Sequence, residues 1–130
     1  MVSSIQVADE TFVAARPEAV GRAVGDRPSW RRWFPDLLLD VVEDRAEKGV
    51  RWTVAGSVTG TMEIWLEPVL DGVVLHYFLH AEPTGAAPAD LAKMDLPGMT
   101  HRRRVAGKRM AFEVKTVLEA DRPVGVAPTA

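Results

Sequence analysis

The stretch GTMEIWLEPVLDGVVLHYFLHA, Gly60 to Ala81, decides the fold. Two runs rich in aromatic and β-branched residues flank Asp71-Gly72, a strong short-range hairpin signature. A two-residue turn at that pair places Leu70 opposite Val73, Leu66 opposite Tyr77, Trp65 opposite Phe78 and Ile64 opposite Leu79. It also sets Glu63 against His80 and Glu67 against His76. Side chains alternate faces along a strand, so Met62, Ile64, Leu66, Leu75, Tyr77 and Leu79 share one face. Glu63, Trp65, Glu67, His76, Phe78 and His80 share the other. The apolar face is read as the inner wall of the protein.

Upstream, Ser4 to Ala15 alternates as a strand, with Asp9 a poor fit to its inner side. Pro17 opens a short helix with Val20, Ala23 and Val24 inward and Gly25 as its stop. Ser29 is expected to cap a second short helix, SWRRWF, which Pro35 ends. Leu37 to Asp44 and Val50 to Ala55 read as strands. An odd-length connection or a bulge near Gly60 turns Trp52 inward. Glu82 to Gly98 reads as a long loop, either a lid or a plain connector. From Met99 to about Ala120 the pattern is helical, with Met99, Ala106, Met110, Glu113 and Val117 on the inner stripe. Asp121 to Ala130 is read as a frayed tail.

The chain has 130 residues, enough for one domain with one core. Apolar residues make up 47% and charged residues 26%, a globular composition. The net charge of −2 gives no general attraction for nucleic acid. The absence of cysteine excludes disulfides, thiolate metal sites and a cysteine nucleophile, and fits a reducing cytoplasm. The first ten residues, MVSSIQVADE, have no signal-peptide pattern, and no apolar run approaches the ~20 residues of a membrane span.

Four segments carry a family resemblance: ARPEAVGRAVGD at 15–26, SWRRWFPDL at 29–37, GTMEIWLEPVLDGVVLHY at 60–77 and the helix at 99–120. The second holds a W-x-x-W-x-P arrangement of Trp30, Trp33 and Pro35; the third has a Leu-x-Pro turn before a Gly-led strand. In this order they resemble the START-like (SRPBCC) superfamily, in its polyketide cyclase/dehydrase and lipid-transport branch. The resemblance implies a single α+β domain over 1–130 with a helix-grip fold. A curved antiparallel sheet of about five to seven strands wraps a long C-terminal helix, and two short helices follow the first strand. It also implies an apolar cavity between helix and sheet. Five strands are read here, about one hairpin fewer than the family norm, and a shorter sheet leaves a shallower pocket or a packed core.

The expected cavity lining is Trp33, Val54, Met62, Ile64, Leu66, Leu75, Tyr77, Leu79, Met110, Glu113 and Val117. The leading reading is non-catalytic binding or transport of a small hydrophobic or aromatic molecule, lipid or polyketide-like, without a cofactor. The alternative is an aromatase/cyclase or dehydratase. Glu113 in an apolar cavity would have a raised pKa and, with Tyr77, would transfer protons. A plainer reading of Glu113 is a surface pair with Arg109, one helical turn away. A third reading is an interaction module: Trp65 and Phe78 on the outer face form a partner or homodimer surface, unless a neighbour such as Arg51 covers Trp65.

Other chemistry is poorly served. His76 and His80, four apart on a strand, stand ~13 Å apart and do not share an ion; they read as partners of Glu67 and Glu63. The cluster HRRRVAGKR at 101–109 lacks the interleaved aromatics of single-strand binders and reads as a solvated helix face. Ser57 has no nucleophile elbow around it.

Overall fold

In a computed structural model of the chain, residues 3–120 are described. The expected tail at 121–130 lies outside them. The element order is β1 (Ile5–Val13), α1 (Pro17–Val24), α2 (Arg27–Trp33), β2 (Leu37–Asp44), β3 (Gly49–Gly56), β4 (Val58–Val69), β5 (Gly72–Pro83), α3 (Pro88–Leu91) and α4 (Leu96–Glu119). A single 3-10 turn, Ala46–Lys48, joins β2 to β3. The five strands form one antiparallel sheet in the order β1-β5-β4-β3-β2. The chain therefore crosses from one edge of the sheet to the other through α1 and α2, and the last strand closes against the first. This is the expected helix-grip α+β architecture, a curved sheet with a long C-terminal helix.

The faces of the β4–β5 hairpin are as expected. Met62, Ile64, Leu66, Leu75, Tyr77 and Leu79 are all at most 2% exposed. The register is not. The two turn residues are Leu70 and Asp71, so the strands slide by two residues. Ile64 now faces Tyr77, Trp65 faces His76, Glu63 faces Phe78 and Leu66 faces Leu75. A slip of two keeps every side chain on its face. Gly72 is thus the first residue of β5, and its lack of a side chain serves packing. A Cβ there would lie 2.5 Å from both the Phe12 ring and the Val13 carbonyl oxygen. Leu70 takes the turn instead, at φ +54°.

Trp52 is buried inside, opposite Met62, and Val54 is opposite Gly60. The intervening residues 55–59 are odd in number, the arrangement that keeps Trp52 and Met62 on one face. Asp9 holds its half-buried position through an ion pair with Lys108, 3.1 Å away. The second helix begins two residues before the expected cap. Asp26 occupies the N-cap position, Pro28 lies in the first turn, and the Ser29 hydroxyl donates to Asp26 at 2.6 Å from within the helix. The expected loop at 82–98 is shorter: β5 runs to Pro83, α3 interrupts the connection, and α4 begins at Leu96. The Asp95 carboxylate caps α4 by accepting from the Gly98 N–H at 3.0 Å.

The inner stripe of α4 lies one residue round from the expected one. Gly107, Met110, Ala111 and Val114 are buried, with Leu118 packed beside them. Val117 is 66% exposed and Ala106 only half-buried. One residue is about 100° of helix. Gly107 sets this phase by letting the Tyr77 ring approach the helix backbone.

Candidate functional site

The space between the sheet and the helices is filled by aromatic side chains. Trp30 meets Trp52 edge to face at 5.1 Å, and Phe34 stacks on Tyr77 at 6.2 Å. Such pairs add about 0.5–1.5 kcal/mol beyond burial. The Trp30 indole N–H donates to the Val24 carbonyl at 2.7 Å, tying α2 to the end of α1. Of the expected lining, Val54, Met62, Ile64, Leu66, Leu75, Tyr77, Leu79 and Met110 join this core, none more than 3% exposed.

The other three, Trp33, Glu113 and Val117, meet elsewhere. They lie on a groove of about 450 Å³ between α1, α2 and the C-terminal half of α4. Ala19, Ala23, Val114 and Leu118 supply more apolar wall; Arg22, Asp26, Ser29 and Arg32 stand along the polar side. α2 brings Trp33 to the groove because Trp30, one turn earlier, is anchored in the core. The shifted phase of α4 turns Glu113 toward α2 and leaves Val117 at the groove wall.

Glu113 therefore does not pair with Arg109 or with Tyr77. Its carboxylate forms an ion pair with Arg32 and accepts the Trp33 indole N–H at 2.9 Å. The Arg32 hydrogen bond outweighs burial and holds the Glu113 pKa below the usual carboxylate value, the reverse of the expected rise. Arg32 also lies over the Trp33 ring, 5.9 Å from its centroid. Tyr77 donates its hydroxyl to the Met62 thioether at 3.4 Å. Burial pushes its pKa well above the ordinary phenol value, against the opposing charge of Arg103. The two candidate proton-transfer groups thus have separate partners and are each biased away from exchanging protons near neutrality.

Arg103, expected on the outer side of α4, is instead tucked in. Its side chain is 16% exposed and pairs with Asp36. Burial raises the Asp36 pKa, but hydrogen bonds from Arg103 and Ser57 outweigh it and leave it lowered. No apolar periodicity marks an inward arginine; only its one-turn offset from Gly107 does. Of the 101–109 cluster, Lys108 is also committed, to Asp9 and to the Thr11 hydroxyl at 2.9 Å. His101, Arg102, Arg104 and Arg109 are exposed.

On the outer face, Trp65 stacks on His76 at 4.5 Å, and His76 stacks on Phe78 at 6.0 Å. Trp65 therefore has His76 as its stacking neighbour, and Arg51 stands opposite Glu63, two residues away on the same face. His76 bonds to Glu67 at 2.9 Å, across the diagonal. The expected Glu63–His80 pair does not form: Glu63 accepts from Arg45 at 2.8 Å, and His80 faces Thr61. Among the described residues no three His, Asp or Glu side chains gather as a metal site, and no helix is long and apolar enough to cross a membrane.

No family model matches the chain, and no curated protein matches it in sequence. Solved structures do match. The Aha1 dimer from Colwellia psychrerythraea is 14% identical with a TM-score of 0.63, over 92% of this chain and 99% of that one. A protein from Mesorhizobium loti is 14% identical at 0.65, over 91% and 99%. A polyketide cyclase-like protein from Corynebacterium glutamicum is 17% identical at 0.57, over 92% and 93%. The chain has a START-like (SRPBCC) fold.

Proposed function

We propose that this single START-like domain is a non-catalytic binding protein for a small hydrophobic or aromatic molecule, and that the groove between α1, α2 and α4 is its site. One observation carries the reading: Trp33, Val114, Val117 and Leu118 line an open groove of about 450 Å³, while the inner sheet wall is packed. Ligand pockets commonly fall between about 300 and 1,000 Å³, with mostly apolar walls and few polar groups. The cyclase or dehydratase alternative is disfavoured by the ion pair on Glu113 and the buried Tyr77 phenol. A cytoplasmic setting, without a cofactor, is part of the same reading.

Titration with the neutral fluorophore N-phenyl-1-naphthylamine tests it, read by the rise of its own emission on binding. Saturable binding is expected, lost in Val117→Asp and kept in Phe112→Asp, which alters an exposed residue off the groove. Binding unaffected by Val117→Asp would place the ligand elsewhere.

A second reading is supported by the outer sheet face. Trp65 remains 39% exposed at the end of its stack with His76 and Phe78. Self-association through this Trp65/Phe78 face makes a homodimer or an interaction module compatible with ligand binding on the opposite side. Aromatic residues at such positions commonly anchor interfaces.

A further inference from the structure

Charge is unevenly distributed along the chain. α4 holds six of the sixteen lysines and arginines but two of the eighteen carboxylates, in a chain of net charge −2. Three of the six cations are matched: Arg103 by Asp36, Lys108 by Asp9 and Lys115 by Glu119. Glu113, the other carboxylate of the helix, is held by Arg32 and Trp33. Arg102, Arg104 and Arg109 remain. All three are exposed, and none has an ion pair or side-chain hydrogen bond with any described residue. Within four residues of Arg102 or Arg104 the helix carries no carboxylate.

The same outward face carries apolar surface. Val105 and Phe112 stand two turns apart on one stripe, with Arg102 and Arg109 two turns apart on the next, about 60° round. Phe112 is 51% exposed, and the Lys108 ammonium lies 5.3 Å from its ring centroid. Arginines around an exposed phenylalanine suit an anionic bilayer. There the guanidinium groups meet headgroup charge while the ring and the alkyl stems bury at the boundary with the acyl chains. A single-stranded nucleic acid asks instead for open ring faces on which bases stack, and a lysine lies over the Phe112 ring.

We propose that the outer face of α4 docks on an anionic lipid bilayer, with Phe112 entering the interface and Arg102, Arg104 and Arg109 on the headgroup phosphates and carboxylates. This surface is independent of the groove, whose apolar wall comes from Trp33, Val114, Val117 and Leu118. Each unmatched arginine is expected to add about fivefold to partitioning onto such a surface.

Co-sedimentation of the full chain with vesicles tests the proposal, with phosphatidylcholine alone compared with phosphatidylcholine containing about 30% phosphatidylserine. Binding to the mixed vesicles only is expected, and it should fall as salt rises. Arg102→Gln and Arg109→Gln should each weaken it about fivefold. Phe112→Ser should weaken it by a similar factor, and Lys48→Gln, at an exposed cation of the 3-10 turn, should leave it unchanged. No vesicle binding, or equal binding to both compositions, overturns the proposal. An equal loss in Lys48→Gln also overturns it, by reducing the contact to unspecific attraction. Binding that survives Phe112→Ser and is matched by an oligothymidylate overturns it in favour of a nucleic acid.

Discussion

The ring of Tyr77 lies so close to Gly107 that a Cβ on the helix would stand 2.5 Å from ring carbon Cε2. Tyr77 cannot retreat, because Phe34 stacks on it and its hydroxyl is bonded to Met62. This contact fixes how α4 rotates on the sheet, and so which side chains reach the groove.

Gly107→Ala should therefore destabilise the fold. Overpacking costs about 1–3 kcal/mol, partly offset by the roughly 1 kcal/mol that Ala gains over Gly within a helix. A net loss near 1 kcal/mol is expected in urea denaturation. Tyr77→Leu combined with Gly107→Ala should lose less than the sum of the single changes, since the clash is with the ring.

Leu70 offers the opposite case. It is 97% exposed and adopts φ +54° in the hairpin turn. A left-handed conformation costs an ordinary residue about 1–2 kcal/mol. Leu70→Asn should raise stability by several tenths of a kcal/mol or more, seen as a higher thermal midpoint. A lower midpoint would mean that the turn is not built as described.

Glu113 gives a pH dependence whose sign is fixed. Its folded pKa is lowered by Arg32, so it contributes stability above the ordinary glutamate value of about 4.3. That contribution is lost as pH falls through the lowered folded value. Glu113→Gln should reduce the thermal midpoint at pH 7, and the gap to the parent chain should close on acidification. The pair is solvent-accessible, so the gap should also narrow in high salt. A gap that widens in acid would contradict the assignment.

If copies of the chain pair through the outer face, Trp65→Ser should weaken self-association by at least about tenfold in sedimentation, as loss of an aromatic anchor does. Its ligand affinity should be unchanged, because Trp65 and the groove lie on opposite sides of the sheet. Unaltered sedimentation would remove the homodimer reading.

The sheet faces were legible because alternation survives a slip of two residues. The register was not, because Asp71-Gly72 signals a turn locally, whereas Gly72 is needed for tertiary contact with Phe12 and Val13. The rotation of α4 misled for a related reason. Apolar residues alone place the stripe on Ala106 and Glu113, but a glycine and the paired Arg103 lie inside it. The start of that helix, expected at Met99, lies at Leu96, with Asp95 as its cap and Pro97 in its first turn. Trp33, Glu113 and Val117 were all read as lining of a cavity against the sheet, yet their shared location depends on two short helices meeting the distal half of α4. No local pattern encodes that meeting.

Methyl and indole NMR shifts on adding N-phenyl-1-naphthylamine locate the ligand directly. The Trp33 indole N–H and the methyls of Ala23, Val114, Val117 and Leu118 should move, while those of Ile64, Leu75 and Leu79 stay fixed. Shifts centred on Ile64, Leu75 and Leu79 with the groove silent would put the ligand between sheet and helix and contradict the groove as its site.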